Sequence, residues 1–341
     1  MPISKKARLA SLFIVVLLVT VIIVLYRNIG EDGITPGEPT TRVPTPNIPK
    51  QFEDYLSISF EVDENDFNFP DRLPTIAATL QQITESQGKS IAFDLNFSFE
   101  PLVFEDVKEG TKYIWRGDEA SLIITQKSGE VEYRLNSTEI PEVADEKLSD
   151  GSIIQTAENF LVDSFGFNQE NLSPASISYL FTNPSSEGFS ESQIKSNADV
   201  FQVSFTLKSA DYKILTVSPD QPLIFVRILP NGAIYQATAV LLEETQTSQD
   251  TYPIKNYEEV KDQIDEAILV SIRNDYVNIR DLTRSDIRSL VVDTVSIAYL
   301  FDSSTSRIRS LQPVFLLEGD VEVSNSTANR ALLYLPAIRN P

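Results

Sequence analysis

Four short clusters carry residue types that could make or break bonds. Asp63-Glu64-Asn65-Asp66 and Asp118-Glu119 supply carboxylates. Glycoside hydrolysis needs only two carboxylates at a set separation, and oxygen-rich clusters attract hard cations such as calcium. Lys127-Ser128 and Lys195-Ser196 are the adjacent pairs from which a Ser-Lys nucleophile could be built. Each cluster also has a plainer reading. The chain holds 49 Asp and Glu among 341 residues, so neighbouring carboxylates arise by chance and a solvated acidic face accounts for them. Asp63, Asn65 and Asp66 lack the spacing and the glycine of a calcium loop. Adjacent residues of a strand point to opposite faces, so neither Lys-Ser pair reads as a dyad. The expectation is a chain that is not an enzyme, with no catalytic residue, no cofactor and no metal.

The residue inventory narrows the chemistry further. There is no His and no Cys. Ser-His-Asp and Cys-His hydrolysis, disulfides and the usual zinc sites are excluded, because each needs an imidazole or a thiol. No glycine-rich nucleotide loop occurs. The formal net charge is −21. Such a surface repels nucleic acid and anionic lipid while remaining compatible with cations and basic peptides, so nucleic acid is not an expected partner.

The elements that would position these residues begin with Leu9 to Tyr26, an uncharged run rich in Val, Ile and Leu. As a helix it would reach about 27 Å, close to the thickness of a bilayer core. No small-residue cleavage site ends it, which favours an uncleaved anchor over a signal peptide. Lys5, Lys6 and Arg8 precede it and Arg27 follows, which places the N-terminus in the cytoplasm and the bulk of the chain outside. Residues 28–50 are rich in Pro, Gly and Thr and read as a semi-extended tether.

Residues 51–146 read as strand-rich. Ile91, Phe93, Leu95, Phe97 and Phe99 alternate with polar or small residues, the pattern of a half-buried strand. A short helix is expected over Ile76–Ser86, capped by Thr75 and stopped near Gly88. Leu122–Thr125 and Val131–Leu135 read as a hairpin around Gly129. Trp115, the single Trp, reads as a core anchor.

From residue 147 the pattern repeats. Ser176-Ile-Ser-Tyr-Leu-Phe-Thr returns as Ser296-Ile-Ala-Tyr-Leu-Phe-Asp. A helix precedes each copy. In the first, Ser152 and Gln155 read as a capping box, Ile153, Ala157, Phe160 and Leu161 as the apolar stripe, and Gly166 as the stop. In the second, Asn256 and Glu259 form the box and Val260, Ile264, Ala267 and Ile268 the stripe. Strands follow each: Phe201–Leu207, a hairpin at Asn231-Gly232 of type I′, then Leu311–Glu318 and Arg330–Leu335. Pro313 should restrict its strand to an edge or stand among its first residues. The expected fold class is α+β: an N-terminal transmembrane helix, a strand-rich first region, then two repeated helix-on-antiparallel-sheet units. The expected segments are 1–27 tip and anchor, 28–50 linker, 51–146 strand-rich region, 147–248 first α/β unit and 249–341 second. Asn96, Asn136, Asn171 and Asn325 head N-x-S/T sequons, about as many as composition supplies by chance.

Tyr252-Pro-Ile-Lys-Asn-Tyr-Glu-Glu-Val, Ala298-Tyr299-Leu300, Leu311-Gln312-Pro313-Val314-Phe315 and Gly319 resemble the closing part of the YycH/YycI-type regulators of bacterial two-component systems and, more broadly, PepSY-like modules. The resemblance spans about 100 residues. It implies a bacterial, extracytoplasmic, regulatory protein that binds other proteins without catalysis. The expected function is thus a non-enzymatic single-pass membrane-anchored module of the cell envelope. Its expected partners are the membrane, through the N-terminal helix, and another membrane or envelope protein. A carboxylate-based surface hydrolase and a structural envelope stalk are the alternatives.

Overall fold

Apolar residues alternate with polar ones through most of the second half of the chain, and the backbone answers with long strands. The computed structural model describes residues 45–50, 57–136, 148–182, 189–192, 194–209, 211–217, 222–273, 282–301, 308–324 and 326–339. These fall in Val43–Pro341, which is one compact unit. In chain order the strands are β1 Ser59–Phe60, β2 Arg72–Leu80, β3 Leu102–Asp106, β4 Gly110–Arg116, β5 Ala120–Thr125, β6 Glu130–Leu135, β7 Leu172–Thr182, β8 Phe189–Ser192 and β9 Val200–Ser209. There follow β10 Tyr212–Thr216, β11 Ile224–Ile228, β12 Ile234–Val240, β13 Leu242–Pro253, β14 Ile268–Arg273, β15 Ile287–Phe301, β16 Ile308–Val323 and β17 Ser326–Pro336. The α-helices among the described residues are α1 Glu85–Asp94, α2 Asp150–Phe165 and α3 Tyr257–Asp262.

The strands form two arrays. The first is antiparallel throughout, in the order β3-β4-β5-β6-β12-β11-β9-β7-β8. The second is built on β16, which pairs β15 and β17 along most of its length and β2 at its start, Ile308–Leu311. β14 pairs β17 and β13 pairs β2. β10 joins the arrays, antiparallel to β9 and parallel to β15.

Two main apolar cores form, and the first also takes Ile76, Ala78, Leu80, Tyr299 and Leu311 from the second array. In the first, Trp115, Leu122, Ile124, Val203, Phe205 and Val226 meet Ile153, Ala157, Leu161 and Phe165 of α2 and Ala92 of α1. Burying Ile153, Leu161 and Phe165 contributes roughly 1.5–3 kcal/mol each. In the second, Val292, Phe315, Leu317, Leu333 and Leu335 pack with Val260 and Ile264. Ile48, from the Pro-rich stretch, is buried with Ala298, Leu300, Val314 and Tyr334.

The architecture corrects the expected fold class. The described chain is dominated by strands, and two repeated helix-on-sheet units do not describe it. The second expected helix stops after six residues at Asp262 and gives way to a 3-10 turn and β14. The repeated heptads lie in β7 and β15, in unlike settings. Ser178, Tyr179 and Phe181 are half-buried or exposed, whereas their counterparts Ala298, Tyr299 and Phe301 are buried. The transmembrane and single-pass reading is also corrected. Among the described residues no helix is long and apolar enough to cross a membrane, and Leu9–Tyr26, on which that reading rests, lies outside them.

Local readings change for local reasons. Ile76–Leu80 is strand, and the helix starts later, at Glu85. There Thr84 and Gln87 form a reciprocal capping box. That box draws Ile91 and Phe93 into α1, so the alternating pattern is not a strand. Asn96, at φ 66°, turns the chain out of the helix. Helix α2 is capped by Ser149, whose Oγ accepts the Ser152 N–H at 3.1 Å, so Ser152 and Gln155 lie inside it. Gly166 ends it at φ 76°. At Pro230-Asn231-Gly232 the left-handed residue is Gly232, at φ 87°, and Asn231 has negative φ. The Gly232 N–H donates to Leu229 O at 2.8 Å and the Leu229 N–H to Ala233 O at 2.8 Å. The loop is therefore a three-residue turn with a glycine bulge rather than type I′. Pro313 lies in a central strand, between the part of β16 that pairs β2 and the part that pairs β17. A missing donor is tolerated at that change of partner.

β15 bulges between Val292 and Thr294, which turns Asp293 outward. Arg330 Nη1 donates to Asp293 Oδ2 at 2.5 Å and to Asp320 Oδ1 at 3.0 Å. The bond from Arg330 holds the Asp293 carboxyl below its ordinary range. A depressed folded pKa stabilises above the unfolded value, and the gain is lost as pH falls through the folded value. The stability difference between the wild type and Asp293→Asn, read from urea midpoints, should therefore shrink as pH drops from about 5 toward about 2.

Candidate functional site

The residues singled out by their chemistry do not converge. Asp63 caps a 3-10 turn, its Oδ1 accepting the Asn65 backbone N–H at 2.8 Å and Nδ2 at 2.7 Å. Among the described residues no group of three or more His, Cys, Asp or Glu is placed to hold a metal ion. Asp118 and Glu119 are exposed in the turn between β4 and β5. Lys127 and Ser128 sit in the β5–β6 turn rather than on a strand, and Lys127 Nζ donates to Lys108 O at 3.4 Å. Lys195 Nζ is bonded to Asp150 at 2.5 Å, away from a Ser196 nucleophile role, and Ser196 Oγ donates to Asn197 Oδ1 at 3.3 Å.

Two surfaces of the first array have features that solubility does not require. The first is the edge strand β3, which pairs only β4 among the described residues. Leu102, Val103 and Phe104 are 64%, 55% and 56% exposed, and Val107 just beyond is fully exposed. Both faces of the strand are therefore apolar and wet. Burial of its own side chains does not hold it. Trp115, wholly buried in β4, donates its Nε1–H to Phe99 O at 3.0 Å and so fixes the chain that enters β3. At the other end Asp106 Oδ1 accepts the N–H groups of Lys108 at 2.7 Å and Glu109 at 2.9 Å, which closes the turn and lowers the Asp106 pKa. Glu105 accepts the Thr111 hydroxyl at 3.0 Å. The strand thus presents an apolar half followed by two carboxylates.

The second surface is the face of the array opposite α1 and α2. Strand register aligns Arg116, Ser121, Arg134, Gln236, Arg227 and Gln202 in one row across β4, β5, β6, β12, β11 and β9. Arg227 is half-buried. Its Nε donates to Gln202 Oε1 at 2.9 Å and its Nη1 to Gln236 Oε1 at 2.8 Å. Its Cζ lies 4.7 Å from the Phe189 ring centre and 5.1 Å from that of Phe225. Burial lowers the Arg227 pKa, the Tyr235 phenol opposes this, and Arg134 lowers it further. A bulge between Arg227 and Ile228 leaves Tyr235 unpaired in β12, and the Tyr235 hydroxyl accepts from Arg134 Nη2 at 3.4 Å.

On the same face the register also aligns Lys112, Thr125 and Glu130. Burial raises the Glu130 pKa, with Glu132 adding to it. A carboxyl with a raised folded pKa costs stability once it ionises, so the cost is absent below the unfolded value, about pH 4.3, and complete above the folded one. Glu130→Gln should raise the melting temperature at pH 7 and leave it unchanged near pH 4.

No family model matches the chain, and no curated protein does. A solved structure of an uncharacterized protein from Eubacterium rectale ATCC 33656 is similar at 11% identity, over 84% of this chain and 90% of that one, with a TM-score of 0.48. A likeness at that score carries no argument about function.

Proposed function

We propose that the protein is a non-enzymatic, extracytoplasmic interaction module that accepts an extended segment of a partner protein along β3. The observation behind this reading is the open edge of β3 with Leu102, Val103 and Phe104 exposed on it. An unpaired edge offers main-chain donors and acceptors to an incoming strand, and alternate side chains select its sequence. Natural edges are usually blunted with charge, proline or a cover, because an apolar edge invites pairing. Here the charge is confined to Glu105 and Asp106. A partner strand with apolar residues against Leu102 and Phe104 and a basic residue near the carboxylates fits best. The absence of His and Cys and the resemblance to YycH/YycI-type regulators support the same reading.

Selection of displayed random peptides on the full chain tests it. Expected are peptides of alternating apolar residues with a Lys or Arg at one end, which slow amide exchange over residues 102–106. Peptides that protect another part of the chain and leave these amides unchanged would overturn the reading.

A further inference from the structure

Arg116, Arg134 and Arg227 lie in one row of this acidic chain and, among the described residues, pair no carboxylate; Arg72, elsewhere, pairs none either and bonds Thr251 instead. Arg288 pairs Glu322, Arg330 pairs Asp293 and Asp320, and Arg339 pairs Glu259. Among the described residues the three on the row have no carboxylate partner, although acidic residues outnumber basic ones 49 to 28. Arg227 is the unusual member. A guanidinium does not shed its charge in a protein, so one that is half-buried without a counter-charge carries an uncompensated desolvation cost. Neutral amide oxygens of Gln202 and Gln236 hold two of its N–H groups in place, and the rings of Phe189 and Phe225 flank it. Three of its five N–H donors remain. That is a planar fork, pre-oriented by its neighbours, of the kind that takes an oxyanion in two parallel bonds. Arg134 lies two strands away, roughly 10 Å by strand spacing, and its reach brings a second positive charge toward the same place.

We propose that Arg227, with Arg134 beside it, forms an oxyanion-binding site on the face opposite the helices, taking the carboxylate or phosphate group of a ligand. An anion there would supply the missing counter-charge of Arg227 and relieve the repulsion between the two guanidiniums. The site is distinct from the β3 edge and does not depend on it.

Thermal melts of the full chain at fixed ionic strength test this, with chloride exchanged for about 20 mM inorganic phosphate or acetate. A ligand that binds only the folded state raises the melting temperature. Expected is a rise of about 3 °C with at least one of the two anions, which also separates phosphate from carboxylate as the natural chemistry. The rise should vanish in Arg227→Gln and at least halve in Arg134→Gln, and persist in Phe104→Lys. Arg134 is exposed and bonded only to Tyr235, so Arg134→Gln carries the test if Arg227→Gln does not fold. No rise over chloride with either anion, or an equal rise in Arg134→Gln, would overturn the proposal.

Discussion

Gly319→Ala is expected to lower the melting temperature by about 6–12 °C. A Cβ at Gly319 would stand 2.0 Å from Val291 O and 2.7 Å from Val291 C and Val292 Cα. These are backbone atoms of β15, and they cannot swing aside as a side chain would. Gly319 pairs Val292 on one side and Ala331 on the other, so β16 is clamped between two strands at this point. The neighbouring bulge at Asp293 brings β15 unusually close. Room for a methyl group therefore requires parting the ladder. Overpacking in a well-filled core costs about 1–3 kcal/mol, and a clash with backbone lies at or above the top of that range. About 3 kcal/mol converts to the shift stated, at roughly 2–4 °C per kcal/mol for a domain of this size. Thermal melts followed by circular dichroism check it, and a loss under about 2 °C would mean that β15 and β16 are not in this register.

Phe104→Lys is expected to weaken capture of a partner strand at least tenfold while leaving the fold intact. Phe104 is 56% exposed, so its replacement removes little core packing. Surface changes away from special features alter stability by less than about 0.5 kcal/mol. On an edge strand, however, a lysine is the device by which natural sheets refuse an extra strand. It would also oppose the basic residue expected to face Glu105 and Asp106. A tenfold loss equals about 1.4 kcal/mol of binding. Titration of a selected peptide into the wild type and the variant measures it. Equal affinities would move the docking surface away from β3.

Much of the scaffold is legible from the residues. The alternation of Phe201, Val203, Phe205 and Leu207 does mark β9, with its apolar face inward. Asn256 and Glu259 do form a capping box. The errors come from competition between patterns. Phe93, Leu95, Phe97 and Phe99 alternate as in a strand, but Thr84 and Gln87 lie upstream and start a helix. Ser149, Ser152 and Gln155 all suit a helix start, and only the backbone decides that Ser149 caps. The short α3 has a good start and no length, because Ala267 and Ile268 are drawn into the second array instead. Neither candidate surface could be read from the chain. Leu102-Val103-Phe104 reads as core in any sequence, and its exposure follows from standing last in the sheet. The arginine row exists only in the register of six strands whose residues are more than 100 positions apart at the extremes.

Pairings that span most of the chain have a consequence for how it is made. Phe60 lies beside Val292, and Ile76 beside Leu311. β1 therefore has no partner until the last quarter of the polypeptide has been synthesised, and β2 has only β13 before then. Closing loops of this size before any reward is slow. A nascent chain of this kind leaves the ribosome with its second half-sheet unformed, and its final assembly is a late, whole-chain event rather than a stepwise one.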